Sequence, residues 1–506
     1  MSVLDRFIAN ISPSTALKRK LARKRLEFLN TGYSHYGASK KKKSMKGWKA
    51  DGGSTKEDID DNLQLLHERS RDLYMGVPLA TGALKTIRTN TVGSGLRLKA
   101  QIDGTFLNMS ETEADKWEEL VQREFSLWAD TPHCDAMRFN NFYQLQQLSF
   151  LSYLMSGECF VLLPYIERPN IPYDLRVQLL EADRVCTPNG KERDKSIING
   201  VQVGDYGEII AYYIAKQHPL SSDKGKMEWF KVDAYGKETG CPNILHLAEF
   251  ERPEQRRGVP ILAPVIESLK QLGRYTDAEL IAAVVSGMFT VFITSEYSED
   301  EDLYNENVEE DELVDKGNDL TQEIGPGAMI TLGEGESMTY ANPARPNSAF
   351  DGFVTSICRQ IGAALELPYE MLVKHFTASY SASRGALLEA WKMFKMKRTF
   401  VASKFCQPIY EEFLAEGIAK GRIYAPGFFE DPLVRKAYCG AEWNGPSQGQ
   451  LDPLKEVKAA SERVNNGFSS RSRETTELTG GDFGRIVRQR KSEEKLMREI
   501  GGNEDA

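Results

Sequence analysis

The sequence predicts an α+β protein of more than one domain, and three observations carry that prediction. Apolar residues recur at helical spacing near the start and again through the second half, whereas one central stretch, Leu175 to about Leu247, is patterned as strands. Strands gathered in one stretch, with helices on either side, are the mark of a segregated α+β arrangement. At 506 residues the chain exceeds what one hydrophobic core sustains, so two to four domains are expected. With 41% hydrophobic and 27% charged residues, it has the composition of a globular chain that buries a sizeable core.

The first 56 residues read as a flexible arm. Residues 1–50 hold thirteen Lys or Arg against Asp5 and Glu27, a surplus of +11; the total of −9 leaves −20 on the remainder. Lys18, Arg19, Lys20, Arg23, Lys24 and Arg25 share a short amphipathic helix with Leu17, Leu21, Leu26 and Leu29. Lys40, Lys41, Lys42 and Lys43 lie between Gly and Ser in a polar, structure-poor tract. Such an arm either touches nucleic acid or an acidic partner, or is a solvated tail.

Order is expected from Lys56 onward. Asp58 to Tyr74 is helix-like, and Pro78 suits the first turn of a second helix that buries Ala80, Ala83, Leu84 and Ile87 before Gly93 and Gly95 end it. Glu111 to Asp130 forms a third helix, with Trp117, Leu120, Val121, Leu127 and Trp128 as its apolar members. Phe142 to Leu154 is helical, and Cys159 to Leu163 is a buried strand. Further strands fall at Val177/Leu179, Ile209–Ile214 and Ile244–Leu247, with Gly200, Gly204 and Gly207 as punctuation.

A long helix follows from about Ala263 to Met288, then a strand at Phe289–Thr294. From Glu296 to Glu323 the chain turns acidic, with Lys316 its single base; Glu299, Asp300, Glu301, Asp302, Glu309, Glu310, Asp311 and Glu312 lie there. Asn347 or Ser348 offers an N-cap for a helix through Phe350, Phe353, Val354, Ile357, Ile361 and Leu365, which Pro368 stops. A Gly-free loop, Val373 to Ser383, precedes a helix from Arg384 to about Ala419 with Leu387, Leu388, Trp391, Phe394 and Phe405 on its apolar face. Beyond Gly421 the chain reads as irregular until Asp452-Pro453 opens a helix to about Val464; a last helix holds Ile486 and Leu496.

Several chemistries find no residues. The seven cysteines are odd in number and widely spaced, without CxxC or zinc-finger spacing, so reduced and mostly buried thiols are expected. No phosphate-cradling G-x-x-x-x-G-K-[ST] and no H-E-x-x-H is present. Leu280 to Ser295, an uncharged apolar stretch, is too short and too rich in Ser, Thr and Gly for a membrane span. No signal peptide is expected, since Lys and Arg follow the first apolar residues rather than precede them, and a cytosolic site of synthesis is expected. No enzyme, no metal and no cofactor is expected.

One block is more distinctive. Arg252-Pro253-Glu254-Gln255-Arg256-Arg257-Gly258-Val259-Pro260-Ile261-Leu262-Ala263-Pro264, with His246 upstream, leads directly into a long helix. It resembles the corresponding block of lambda-type portal proteins of tailed bacteriophages. Other blocks agree in order: Arg71–Tyr74 with Pro78–Ala83 and Val92–Leu96; Trp128, Cys134-Asp135, Phe142 and Gly157-Glu158; Asn199-Gly200-Val201 with Asp205 and Gly207; Leu367–Leu372 and Tyr380–Arg384; Trp443–Pro446 and Leu451–Glu456. Gly204 departs from the pattern, standing where many members are acidic. The resemblance covers about residues 60–460.

It implies a portal fold assembled as a ring, a dodecamer: an α/β wing at 57–262, a first stem helix at 263–290, a small α/β clip with the acidic segment at 291–346, and a second stem helix at 347–372. A tunnel loop at 373–383, a long wing helix at 384–420 and a helical crown with polar tail at 421–506 complete it. The function implied is a virion channel at the capsid vertex for genome packaging, retention and ejection, assembled in the host cytoplasm. Implied partners are double-stranded DNA passing non-specifically, the terminase large subunit, head-completion or connector proteins, and the major capsid or scaffold protein; no membrane is involved. Lys374, His375, Ser379, Tyr380 and Arg384 would face the DNA channel, although the loop also stands as a plain helix connector and Arg384 as the partner of an acidic neighbour. The acidic run would dock partners at the clip, or is a solvated insert. Two rival readings are a DNA-processing enzyme with an unrecognised metal site and another virion structural protein such as a head-completion subunit.

Overall fold

The computed structural model describes residues 12–15, 18–19, 21–22, 43–45, 52–222, 225–287, 291–295, 336–340, 349–376, 379–450 and 452–501. Residues 1–58 and 59–506 are separate compact units. In the first, a short helix spans Thr55–Asp58, where Glu57 accepts from the Ser54 N–H at 2.9 Å.

The second unit opens with two helices, α1 (Leu63–Gly76) and α2 (Pro78–Thr91), the latter with proline in its first turn. Strand β1 (Arg97–Ala100) precedes α3 (Glu111–Ala129) and α4 (Phe142–Ser156). Both helices start on a capping box: Ser110 with Glu113, and Asn141 with Gln144. Gly157 ends α4 in the left-handed conformation, turning the chain into β2 (Glu158–Leu162). Then come β3 (Gln178–Leu180), β4 (Ile197–Ile198), β5 (Val201–Val203), β6 (Ile209–Ala215), β7 (Trp229–Asp233) and β8 (Ile244–Ala248). Sheet order is β3-β2-β8 in one antiparallel sheet and β4-β5-β6-β7 in another. Asn199 and Gly200, both at positive φ, make the two-residue turn between β4 and β5.

Helix α5 (Ile266–Gly287) leads to β9 (Val291–Ser295), which pairs antiparallel with β10 (Glu336–Tyr340), Ser295 opposite Glu336. The acidic residues Glu299, Asp300, Glu301, Asp302, Glu309, Glu310, Asp311 and Glu312 fall between these strands, outside the described residues. Next are α6 (Phe350–Ala364), α7 (Tyr369–Val373) and α8 (Tyr380–Val401); a π-helical turn at Ala402–Cys406 joins α8 to α9 (Gln407–Ala419). The widened turn lies just before Pro408, whose ring is incompatible with regular α-helical bonding to the preceding turn. After α10 (Pro432–Tyr438), β11 (Ala441–Asn444) pairs with β1, and three helices follow: α11 (Pro453–Asn465), α12 (Arg471–Thr479) and α13 (Phe483–Gly501).

The main core joins α2, α3, α4, α8 and α9. Phe125 sits at its centre, edge-on to Phe142, Tyr410, Phe413 and Trp443 with ring centroids 5.2 to 5.9 Å apart. A second core, Phe160, Leu180, Val201, Tyr212 and Ile214, lies between the two larger sheets. Five cysteines are buried, and burial pushes the Cys134 and Cys159 thiols up to about 12. Among the described residues no helix is long and apolar enough to cross a membrane.

The fold departs from the sequence expectations in several places. Helix α8 begins at Tyr380, not Arg384, because Ser379 caps it by accepting the Ala382 N–H; the loop is therefore shorter than 373–383. Ala349, with no side-chain cap, precedes α6, and Asn347 and Ser348 lie outside the described residues. The stretch beyond Gly421 is not irregular, since Asp431 caps α10 and β11 follows. Leu120, Leu127 and Leu388 are exposed rather than core-facing, and α12 was not anticipated.

Candidate functional site

The loop between α7 and α8 is built by two helix ends. Lys374 takes the left-handed conformation that closes α7, φ 56°, and its N–H and that of His375 both return to the Glu370 carbonyl. Lys374, His375 and Phe376 are all exposed, Phe376 by 55%. Ser379 is exposed and spends its hydroxyl on the α8 cap. Tyr380 is the first helical residue; its side chain lies outside the description. Arg384 sits in the second turn of α8, 3.7 Å from Glu456 of α11, so it pairs with an acidic neighbour. The exposed aromatic Phe376 was not singled out from sequence, although a large apolar residue in a short polar loop was a visible signal.

Farther along α8 one buried and one half-buried cation fix the helix. Lys397, 8% exposed, donates to the Tyr153 hydroxyl at 2.9 Å and pairs with Glu249, which also accepts from Tyr153 at 2.7 Å. Burial, then the neighbouring Glu249, pushes the Tyr153 phenol up. Arg398 reaches the carbonyls of Asn90 and Thr91 at the end of α2 and that of Pro446, at 2.8 to 3.2 Å. It thereby satisfies carbonyls that a helix end leaves open. Burial alone pushes Arg398 down to about 10. A Lys-Arg pair inside an apolar helix stretch was the sequence signal that went unread.

The Arg252–Pro264 block and its companions converge on one buried carboxylate. Glu158, at the start of β2, is fully buried. Arg257 approaches its Oε1 through Nε at 2.8 Å and Nη2 at 2.5 Å; His246 Nε2 lies 2.9 Å from Oε2, and the Gly258 N–H donates to Oε2 at 2.8 Å. Burial opposes ionisation, yet Arg257, with His246, outweighs it and holds Glu158 down at about 2. His246 is lowered by burial in spite of Glu158, and its ring stacks on Phe160 at 4.3 Å. Arg257 also donates to the carbonyls of Ala182, Val185 and Asn199. Gln255 braces the block by accepting the Glu251 N–H and donating to the Arg257 carbonyl, and Arg256 donates to the Gly207 carbonyl. Gly157 and Gly258 meet backbone to backbone: a Cβ on Gly258 would stand 2.1 Å from the Gly157 oxygen. These residues weld α4, both sheets and the entry to α5; they are a structural keystone.

The remaining candidates separate. Lys18, Arg19 and Lys43 are exposed, while Lys20, Arg23, Lys24, Arg25, Lys40, Lys41 and Lys42 lie outside the described residues. Among the described residues, Glu181, Asp183 and His218 form one group with metal-ligand chemistry. Asp183 is already engaged by Arg71 and by His67 at 3.3 Å. Burial raises its carboxyl, but His67 and Arg71 outweigh that and keep it well below the usual range. A carboxylate so neutralised is an ion-pair centre, not a ready cation ligand.

Comparison with known proteins addresses the whole chain. The model of the family described as "Phage portal protein, lambda family" matches residues 41–398. Portal protein B of Escherichia phage lambda is 23% identical over 487 residues, covering 93% of this chain and 90% of that protein. The portal protein of Escherichia phage N15 is 24% identical over 483 residues, covering 91% and 90%. A solved structure titled as the neck of an empty GTA particle, computed with C6 symmetry, aligns with a TM-score of 0.48 and 14% identity over 85% of this chain and 96% of that one. With a family match across most of its length, and relatives aligned nearly end to end, the chain belongs to the lambda family of phage portal proteins.

Proposed function

We propose that copies of this chain associate head-to-tail into a closed ring, a dodecamer, at the capsid vertex, and that double-stranded DNA passes through its centre during packaging, retention and ejection. One heterologous interface whose rotation closes is sufficient for such a ring. The observation that carries the reading is the end of α7, where Lys374, His375 and Phe376 are exposed to solvent ahead of α8, a helix anchored in the core by Lys397 and Arg398. We assign the α7–α8 loop to the channel wall. A short loop with few cations suits a passage through which DNA slides, because each fixed phosphate contact adds a salt-dependent binding term that resists movement.

In the same reading, residues 57–262 with α8 form the wing, α5 and α6 the stem, the β9–β10 ladder with the acidic run the clip, and residues from 421 the crown. The acidic clip meets the terminase large subunit and then connector proteins through basic surfaces, and the basic arm meets the major capsid protein, scaffold or DNA. The role is mechanical, with no catalysis and no cofactor. Particles carrying Lys374→Ala with His375→Ala test the assignment: rings should assemble, visible by negative-stain imaging, while DNA packaging or retention falls. Failure of the subunits to oligomerise would show that the loop is misplaced, and metal-dependent nuclease or nucleotide hydrolysis by the purified protein would overturn the mechanical role.

A further inference from the structure

Helices α11 to α13 are attached to the body differently from every other helix of the second unit. Among the described residues beyond Asn444 only Ala460 and Glu474 are buried, and none joins either hydrophobic core. Polar contacts hold the segment instead. Arg384 lies 3.7 Å from Glu456, Lys395 3.4 Å from Glu477, Arg488 3.6 Å from Glu119, and Lys99 donates to the Ser472 hydroxyl at 3.2 Å. A cavity of about 350 Å³ separates α8 from α11 and α12, with Arg384, Lys455, Glu456, Arg463, Glu474 and Glu477 among its lining. Leu387, Leu388 and Leu478 share that lining, so the charged pairs span a gap that the apolar side chains leave unfilled.

The two ends of α8 differ accordingly. Its C-terminal half is fixed by buried Ala390, Trp391, Met393 and Phe394 together with Lys397 and Arg398. Over the preceding residues 381–389 no side chain is fully buried, and only Leu387 packs against the main core. Within the segment that grips them, Arg463 forks onto buried Glu474 at 2.9 and 2.5 Å and ties α11 to α12.

We propose that α11 to α13 act as a salt-releasable latch on the first turns of α8, setting how firmly the helix end of the α7–α8 loop is held. The proposal rests on the reading of that loop as channel wall for its functional meaning, but not for its mechanics. Exposed pairs of this kind are individually weak and are screened as the Debye length falls from about 10 Å at 0.1 M salt to about 3 Å at 1 M. Release therefore frees the loop end of α8 while leaving its core end seated, so changes at the C-terminal helices reach the loop through Arg384.

Hydrogen exchange of the full-length assembled protein tests this. Arg384→Glu and Glu456→Lys should each raise exchange severalfold across residues 379–389, the double exchange Arg384→Glu/Glu456→Arg should restore protection, and high salt should mimic the single variants. Exchange across 391–401 should stay unchanged throughout. Unaltered exchange at 379–389, failure of the double variant to restore it, or equal loosening of 391–401 overturns the latch. If exchange behaves as expected but DNA retention by assembled particles does not follow it, the latch stands and the channel assignment of the loop falls.

Discussion

Glu158 and Arg257, 99 positions apart in the chain, meet inside the protein as a two-pronged ion pair at 2.8 and 2.5 Å, with neither side chain more than 3% exposed. A pair so completely removed from water is costly to break from one side, because the survivor keeps its desolvation penalty without its partner. Arg257→Ala should therefore destabilise the protein by about 3–5 kcal/mol. Arg257→Lys should recover only part of that, since an ammonium cannot fork to the carboxylate and reach three carbonyls as well. Urea denaturation measures both; a loss below about 1 kcal/mol for the alanine variant would sink the keystone role.

The pH dependence should carry two opposite signatures. Glu158 is held at about 2, below its ordinary 4.5, so its stabilisation is complete above 4.5 and is lost as pH falls toward 2. Asp60 behaves in reverse: burial, partly offset by Arg257, pushes it up from 3.8 to about 6, so the stability linked to its protonation is present below 3.8 and lost as pH rises through 6. Asp60→Asn should raise stability at pH 8 by about 1 kcal/mol after allowing for solvent screening of a half-buried group. It should give no gain at pH 3.5. Thermal melts of both proteins across this range check the sign.

Arg398→Ala should leave the carbonyls of Asn90, Thr91 and Pro446 without their donor, at about 1–3 kcal/mol. The loss should be local at first, appearing as faster amide exchange at the end of α2 and around residue 446. Uniform loosening of the chain, with those segments no more affected than the rest, would contradict the anchoring role.

Gly258→Ala should be among the most damaging single changes. The added carbon would stand 2.1 Å from the Gly157 oxygen, inside the backbone where nothing flexible can yield. Soluble yield should collapse, whereas Gly385→Ala, with open space around it, should be tolerated or mildly stabilising by up to about 1 kcal/mol, as expected within a helix.

For the loop, Lys374→Ala should lower the slope of log DNA affinity against log salt by about 0.9 for each lysine engaged at one time. Filter binding by assembled rings over a salt series reads this directly, and an unchanged slope removes Lys374 from the contact set. Phe376→Ser should leave the slope unchanged, since it removes no charge.

Local patterning made much of the fold legible. Ala80, Ala83, Leu84 and Ile87 at helical spacing, and Pro78 before them, gave α2 nearly to the residue, and the strand at Cys159 to Leu163 was displaced by one position. Mistakes arose where a single hydrogen bond decides the outcome. The serines before Arg384 read as loop, yet one of them caps the helix. Leu120, Leu127 and Leu388 were counted with the core because composition does not show which side of a helix is covered. The site was less legible than the fold. Glu158, His246 and Arg257 were each visible within family blocks, but their convergence depends on strand pairing across the chain, Phe160 opposite His246, which no local window contains. Arg384, by contrast, was open to two readings, and Glu456 is found beside it.

The β9–β10 ladder has a consequence for how this protein can vary. Because Ser295 and Glu336 are held opposite one another by backbone pairing, the frame on which the intervening forty positions are strung closes independently of what those positions contain. Closing a longer span costs only about 0.6 kcal/mol for each doubling of its length. Residues 296–335 can thus change in length and content while the strands that bracket them keep their register.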